Sequence, residues 1–115
     1  MPHFPMKILL VLQGAWIAPR FDLATEALIM QTDDKGNPTG ELREILLPGP
    51  SAEELCSLIL KEGITHVICG GIEEGHYRYL TWKGLKVMDH IIGTSKEVVR
   101  HFLACGELDP ETILR

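Results

Sequence analysis

The sequence predicts an α/β domain built around one mixed β-sheet. Short aliphatic runs rich in β-branched residues recur along the chain, and in its second half they alternate with segments of helical periodicity. In the first half, the runs are joined by polar turn residues with no helix between them. Strands that alternate with helices pair in parallel through right-handed crossovers, whereas strands joined by a turn pair antiparallel. The predicted element order is therefore β-β-β-α-β-α-β-α.

Five segments are predicted to be strands. Lys7–Leu12 is a continuous aliphatic run, which is typical of a strand buried on both faces, so we expect it at the centre of the sheet. Turn-forming residues from Asp34 to Pro38 connect the next two runs as an antiparallel hairpin. In chain order the predicted strands are Lys7–Leu12, Glu26–Thr32, Gly40–Leu47, Thr65–Cys69 and Lys86–Ile91. Gln13–Asp22 contains glycine and proline without an apolar period, which predicts a long loop after the central strand.

Three helices are predicted from the residues at their ends. Ser51 and Glu54 form an S-x-x-E capping box, and Thr94 with Glu97 forms the equivalent box before the last helix. The middle helix is expected from about Glu73 to Lys83. The glycines that end the three helices are Gly63, Gly84 and Gly106.

Length, charge and cysteine content restrict the class of protein. A chain of 115 residues argues for one domain, expected over residues 6–110, with 1–5 as a short extension and 111–115 as a tail. The net charge of −5 disfavours binding to nucleic acid. Three cysteines without a C-x-x-C pair are too few and too widely spaced for a disulfide framework or a zinc ribbon. No apolar run approaches the roughly 20 residues that a membrane-spanning helix needs. These features predict a cytoplasmic protein with no membrane or nucleic-acid partner.

The best candidate site lies at the carboxyl edge of the predicted sheet. Gly70-Gly71 stands between a strand and a helix, where backbone amides can approach a ligand closely, although such glycines also serve turn geometry alone. The loops after the first and fourth strands leave this edge where the connections diverge, which would bring Arg20 beside the glycines. Arg20 could then hold an anionic ligand, or it could form a loop-fixing ion pair with Asp22 or with a glutamate.

Three residues near the same edge could act as metal ligands. Cys69 ends a strand, His76 lies in the first turn of the next helix and His90 lies near the end of the last strand. Thiolate and imidazole suit soft and borderline metals, so these side chains are candidates if they converge. The alternative is that Cys69 is a small core residue and that the histidines are solvated or structural.

Motifs for catalysis are missing from the sequence. The chain has no G-x-S-x-G elbow, no H-E-x-x-H pair and no Walker A loop. The predicted central strand carries no carboxylate from which a two-metal site could be built. We therefore expect the protein not to be an enzyme.

Several segments in a fixed order carry a resemblance to a known family. They are Met6-Lys7-Ile8, Ala18-Pro19-Arg20-Phe21-Asp22, Val67-Ile68-Cys69-Gly70-Gly71-Ile72, Gly93-Thr94 before the final helix, and Gly106-Glu107-Leu108. Together, over about residues 6–110, they resemble the dinitrogenase iron–molybdenum cofactor biosynthesis family, the NifX-like domains that include the orange protein.

The resemblance implies a fold, a cargo and a set of site residues. It implies a ribonuclease-H-like three-layer α/β/α fold without nuclease activity, with three helices and a five-stranded mixed sheet in the order 3-2-1-4-5. It further implies a carrier for an iron–molybdenum cofactor, an iron–sulfur cluster, a related metal–sulfur cluster or a precursor, exchanged with cluster-assembly or acceptor proteins. The implied cofactor-binding residues are Arg20, Phe21, Asp22, Gly70, Gly71 and Ile72. In this scheme Arg20 neutralises charge and the two glycine amides bond to cluster sulfurs. Cys69 and His76 would be the direct ligands.

Two other functions remain open at this point. Trp16 and Ile17 make the loop after the first strand apolar, so it could cover a pocket, pack on the sheet or dock to another protein in a metal-free interaction module. A sensor for a small anion, using Arg20 and His76, is the third possibility. Glu73 and Glu74 stand at the mouth of the middle helix, where they would repel an anionic cluster.

Overall fold

A computed structural model describes residues 5–106, 108–109 and 112–114 of the chain. Most of the predicted extension, Glu107 of the last matching segment and part of the predicted tail lie outside the described residues. The strands are β1 (Lys7–Gln13), β2 (Trp16–Ile17), β3 (Glu26–Thr32), β4 (Pro38–Leu46), β5 (His66–Ile68) and β6 (Lys86–Met88). The helices are α1 (Ala52–Lys61), α2 (Glu74–Trp82) and α3 (Ser95–Cys105), and a 3-10 turn covers Phe21–Leu23.

The strands form one mixed sheet, which confirms the predicted α/β class with three helices. Its order is β4-β3-β1-β5-β6, and β2 pairs with β1 beside this path. The pairs of β1 with β3 and of β3 with β4 are antiparallel, whereas β1 with β5 and β5 with β6 are parallel. The turn-joined strands are thus antiparallel and the strands joined through helices are parallel, as the connections require.

The prediction of five strands was wrong, because the described sheet has six. The additional strand, β2, lies in the segment predicted to be a loop. Gly14 has a φ of 61°, a conformation that suits glycine, and it allows a two-residue turn that pairs Gln13 with Trp16. Sequence periodicity could not reveal β2, because a strand of two residues has no measurable period.

The ends of the other elements follow local chemistry. The hydroxyl oxygens of Ser51 and Thr94 each accept a hydrogen bond at 3.2 Å from the backbone N–H three residues later, so both predicted caps are present. β6 is shorter than predicted, since the φ of His90 is 58° and the backbone leaves the extended conformation there.

The core lies on both faces of the sheet. Side chains from α1 and α2 pack on one face against alternate residues of β1, including Leu9 and Val11. Phe102 and other residues of α3 pack on the opposite face against Ile8 and Leu10. Residues 8–11 of β1 are fully buried, which confirms β1 as the central strand. None of the helices in the described part of the chain is long and apolar enough to cross a membrane.

Candidate functional site

Two chain segments meet at the carboxyl edge of β1 and β5. The Gly71 N–H donates a hydrogen bond of 2.7 Å to the Pro19 carbonyl oxygen, and the Phe21 N–H donates one of 2.8 Å to the Gly71 carbonyl oxygen. The segment that follows β2 therefore runs parallel to the segment that follows β5. The two segments, which the predicted topology places at the same edge, are in direct contact.

Close approach explains the glycine pair. A Cβ atom on Gly70 would lie 2.3 Å from the Ala18 carbonyl oxygen, which is too close for any side chain. The Gly71 N–H already donates to the Pro19 carbonyl oxygen, so the hydrogen bond predicted from Gly71 to a cluster sulfur finds no support in its position. The Gly70 N–H, in contrast, has no hydrogen-bond partner among the described residues. Close approach of the backbones thus accounts for both glycines, and of their two amides only that of Gly70 is left without a hydrogen-bond partner among the described residues.

A cleft of about 600 Å³ opens beside this contact. Its lining residues are Gln13, Trp16, Ile17, Pro19, Gly70, Gly71, His90, Ile91, Ile92 and Gly93. Most of the wall is aliphatic, aromatic or glycine backbone. Trp16 and Ile92 stand at its rim with 52% and 55% of their surface exposed. The cleft lies at the carboxyl edge of the parallel strands, where ligands bind in open α/β sheets. At this point the sheet changes from antiparallel pairing, between β3 and β1, to parallel pairing, between β1 and β5.

The short strand β2 builds one wall of the cleft. The Ile17 N–H donates to the Gly93 carbonyl oxygen at 2.9 Å, and the Ser95 N–H donates to the Ala15 carbonyl oxygen at 2.8 Å. These bonds attach β2 to the loop that precedes α3. Sequence reasoning missed this wall, because it depends on hydrogen bonds between segments that are far apart in the chain. The only local signal was the apolar character of Trp16 and Ile17 in a segment predicted to be a loop.

Other predicted cofactor-binding residues lie outside the cleft. The Arg20 guanidinium is paired with Asp22, with Nε 3.1 Å from Oδ1 and a terminal nitrogen 2.7 Å from Oδ2. The loop-fixing ion pair is therefore the observed alternative. Phe21 is buried in the core formed with α1 and α2, and Ile72 packs against the same core. The predicted cofactor-binding role of these four residues finds no support in their positions.

Cys69 is fully buried in the core on the α1 and α2 face. Side chains alternate along a strand, so Cys69 shares this face with Val67 and points away from the cleft. Burial raises the pKa of the Cys69 thiol far above its ordinary value, and the nearby Asp89 carboxylate raises it further. Metals bind the thiolate form, which this environment disfavours.

The two histidines occupy different places. His76 lies on α2 with its ring centroid 6.1 Å from that of Phe21, and it lines a separate hollow shared with Cys56 and Tyr79. His90 lines the cleft. The described residues contain no group of three or more His, Cys, Asp or Glu side chains arranged to hold a metal ion. The predicted convergence of Cys69, His76 and His90 was therefore wrong, and His90 alone reaches the cleft.

The acidic pair at the start of α2 is also away from the cleft. Glu73 and Glu74 are exposed, and Glu74 Oε1 lies 2.5 Å from a guanidinium nitrogen of Arg78. Neither glutamate is among the residues that line the cleft. The expected repulsion of an anionic ligand at this helix mouth consequently has little bearing on the cleft.

Comparison with known proteins shows the fold. No family model matches the chain, and no curated protein matches it. The crystal structure of PH0822 has a TM-score of 0.79 at 16% identity, over 92% of this chain and 95% of that one. The NMR structure of a "putative dinitrogenase (MJ0327)" from Methanococcus jannaschii has a TM-score of 0.72 at 21% identity, over 96% of each chain. A crystal structure of MJ0327 has a TM-score of 0.71 at 22% identity, over 92% of this chain and 94% of that one.

Proposed function

We propose that this chain is a non-enzymatic, cytoplasmic binding protein that carries a small metal–sulfur cluster or a cluster precursor in the cleft. The iron–molybdenum cofactor and iron–sulfur clusters belong to this class of cargo. The observation that carries the proposal is that His90 and Gly70 both line one apolar cleft at the carboxyl edge of the sheet. The order of the sequence segments that resemble NifX-like domains supports it, as does the fold shared with a protein described as a dinitrogenase.

The chemistry of the cleft suits such a cargo. Imidazole nitrogen is a ligand for iron, copper, nickel and zinc, and His90 offers one. The Gly70 N–H is free to bond to a sulfur atom, an interaction that tunes metal–sulfur clusters in proteins. The apolar wall would limit the access of water to the cargo. Within the described part of the chain, no lysine or arginine lines the cleft, which favours a cargo of low net charge.

Carriage rather than catalysis is supported by the side chains of the cleft. His90 is the one titratable side chain among its lining residues. No serine, threonine, cysteine, lysine or carboxylate side chain is among them, so the described lining of the cleft offers no nucleophile beside the imidazole. We infer that the cargo is taken up from, and passed on to, cluster-assembly or acceptor proteins that approach the open rim.

Anaerobic reconstitution tests the proposal. The purified chain is incubated with iron and sulfide, with and without molybdate, and is then desalted for metal analysis and visible absorption. We expect a stoichiometric metal–sulfur chromophore in the wild type and in His76→Gln, whose side chain lies outside the cleft. His90→Asn should lose most of it, and asparagine tolerates the positive φ at this position. A protein that stays colourless in every mixture, or an undiminished chromophore in His90→Asn, would overturn the proposal.

A protein-interaction module is the second candidate. Trp16 and Ile92 expose more than half of their surface at the rim, and exposed apolar side chains that lie together are typical of docking sites. Under this alternative, a partner or a dimer copurifies with metal-free protein and is lost in Trp16→Ser. The small-anion sensor is less well supported, because Arg20 is paired with Asp22 and His76 is outside the cleft.

A further inference from the structure

We infer that Asp89 is a positioning residue of the cleft, which holds His90 in the tautomer that keeps Nε2 unprotonated and available to a metal atom of the cargo. The inference about the cargo rests on the proposed function, whereas the inference about the tautomer does not. Asp89 directly precedes His90 in the chain.

The hydrogen bond between the two side chains fixes the location of the proton. His90 Nδ1 lies 2.8 Å from Asp89 Oδ2. The side chain of Asp89 is only 17% exposed, whereas that of His90 is 54% exposed. A carboxylate oxygen accepts hydrogen bonds, so this geometry assigns the donor role to His90 Nδ1. Nε2 then carries a lone pair, and it is the nitrogen left for a ligand.

An unusual backbone conformation makes this pair possible. Successive side chains of an extended strand point to opposite faces, so neighbours do not ordinarily meet. His90 has a φ of 58°, and it is the one non-glycine residue with positive φ in the described ranges. Two hydrogen bonds hold this turn against the glycine segment. The His90 N–H donates to the Gly70 carbonyl oxygen at 2.9 Å, and the Ile91 N–H donates to the Cys69 carbonyl oxygen at 3.0 Å.

The cost of this conformation supports a role for the pair. A non-glycine residue in the left-handed region costs on the order of 1 kcal/mol or more, and such residues cluster at ligand sites where the surroundings enforce them. A glycine at position 90 would relieve the strain but would remove the imidazole. The chain thus keeps a strained histidine on the wall of its cleft, next to the carboxylate that orients it.

The tautomer has a consequence for the class of cargo. A complex fully enclosed by sulfur presents only hydrogen-bond acceptors, and an unprotonated Nε2 has no proton to donate to them. A metal atom with an exchangeable ligand, in contrast, accepts the Nε2 lone pair, and a carboxylate behind a histidine is a common arrangement for orienting it toward a metal. The cargo inferred from the pair is a cluster or complex with such an open metal position.

Nitrogen NMR of the histidine side chains tests the inference on the full chain. The probe is Zn²⁺ alone, and the variants are Asp89→Asn and Asp89→Leu. In the wild type we expect protonated Nδ1 at His90 and a shift of Nε2 on addition of zinc. Asp89→Leu should move the proton to Nε2 and weaken zinc binding at His90 by about 10- to 100-fold. Asp89→Asn should retain most of the wild-type behaviour, because its amide oxygen still accepts the Nδ1 hydrogen bond.

The outcomes separate the positioning role from the carrier role. Protonated Nε2 in the wild type, or an Asp89→Leu variant that matches the wild type in tautomer and zinc binding, would overturn the positioning role. If Asp89→Leu does not fold, Asp89→Ala removes the same hydrogen-bond acceptor with a smaller side chain and takes its place in the comparison. A protein with the expected tautomer and zinc response that takes up no cluster would support the positioning role and overturn the proposed cargo.

Discussion

The Gly71 amide donates a hydrogen bond of 2.7 Å to the Pro19 carbonyl oxygen and thereby joins the segments that follow β2 and β5. The bond brings the backbones so close that Gly70 has no room for a side chain. It also forms the floor of the cleft, because Pro19 and both glycines line it. The same contact that closes the fold at this edge therefore shapes the candidate site.

Gly70→Ala should destabilise the protein strongly. The added methyl group would lie 2.3 Å from the Ala18 carbonyl oxygen, and the backbone must move to admit it. Overpacking of this kind costs about 1–3 kcal/mol, and contact with backbone places this site at the upper end. Gly75→Ala is the matched control, since a methyl group there meets nothing within 4 Å and α2 should gain roughly 0.5–1 kcal/mol. Urea unfolding measures both, and equal stabilities would contradict the packing argument.

Ser51→Ala should cost about 1 kcal/mol of unfolding free energy. The Ser51 hydroxyl oxygen accepts the Glu54 N–H at 3.2 Å, and its loss leaves that N–H at the start of α1 without its partner. Ser57→Ala, on an exposed position within α1, should instead leave stability unchanged or slightly raised, because alanine is the better helix former. Denaturant unfolding measures the free energy of unfolding of both variants. An equal loss of stability in both would exclude the missing helix cap as the cause of the loss in Ser51→Ala.

Arg20→Ala should have little effect on either stability or cargo uptake. The ion pair with Asp22 is exposed on the arginine side, and such pairs contribute roughly 0–1 kcal/mol. Arg20 is not among the residues that line the cleft, so cluster reconstitution should match the wild type. A large loss of chromophore in a stable Arg20→Ala variant would instead support the charge-neutralising role that the sequence resemblance implies.

Trp16→Ala should reduce cargo retention while leaving the fold intact. The indole stands at the rim of the cleft with about half of its surface exposed, so its loss opens the cargo to water without creating a buried cavity. Trp82→Ala removes an even more exposed indole on α2, outside the cleft, and should retain the wild-type half-life of the chromophore. The measurement is the decay of visible absorption after removal of excess metal. Identical decay in the two variants would argue against the rim as part of the site.

The buried thiols predict a loss of stability at alkaline pH. Burial raises the pKa values of Cys56 and Cys69 in the folded protein, so the unfolded chain releases these protons first. The stabilisation is complete below the ordinary thiol pKa of about 8.5 and declines above it, by up to about 1.4 kcal/mol per pH unit for each thiol. Unfolding free energies measured against pH should show a shallower decline in Cys69→Ala than in the wild type. Parallel curves would contradict the assignment.

The same burial predicts the order of thiol reactivity. Cys105 is exposed on the last residue of α3, whereas Cys56 and Cys69 are buried. A maleimide should therefore modify Cys105 alone in the folded protein and all three cysteines after denaturation. Mass spectrometry of the labelled chain reads the stoichiometry, and rapid labelling of Cys69 in the native protein would show that the carboxyl edge opens.

The features that the sequence determined are local or follow from burial. The hydroxyl groups of Ser51 and Thr94 cap their helices because the residues that complete each cap are only three positions away. β1 is central because a strand with apolar residues on both faces must be covered on both faces. The approach of the Arg20 segment to Gly71 followed from topology, since the ends of neighbouring parallel strands share an edge.

Tertiary structure alone decided which side chains face the cleft. Cys69 is one residue from Gly70, yet side-chain alternation turns it into the opposite core. The Asp89 and His90 side chains meet because distant hydrogen bonds enforce a positive φ at His90, and β2 forms a wall because it bonds to Gly93. The orientation of these side chains and the position of β2 depend on contacts between segments that are far apart in sequence. Such contacts produce no hydrophobic periodicity, so the sequence pattern does not predict them.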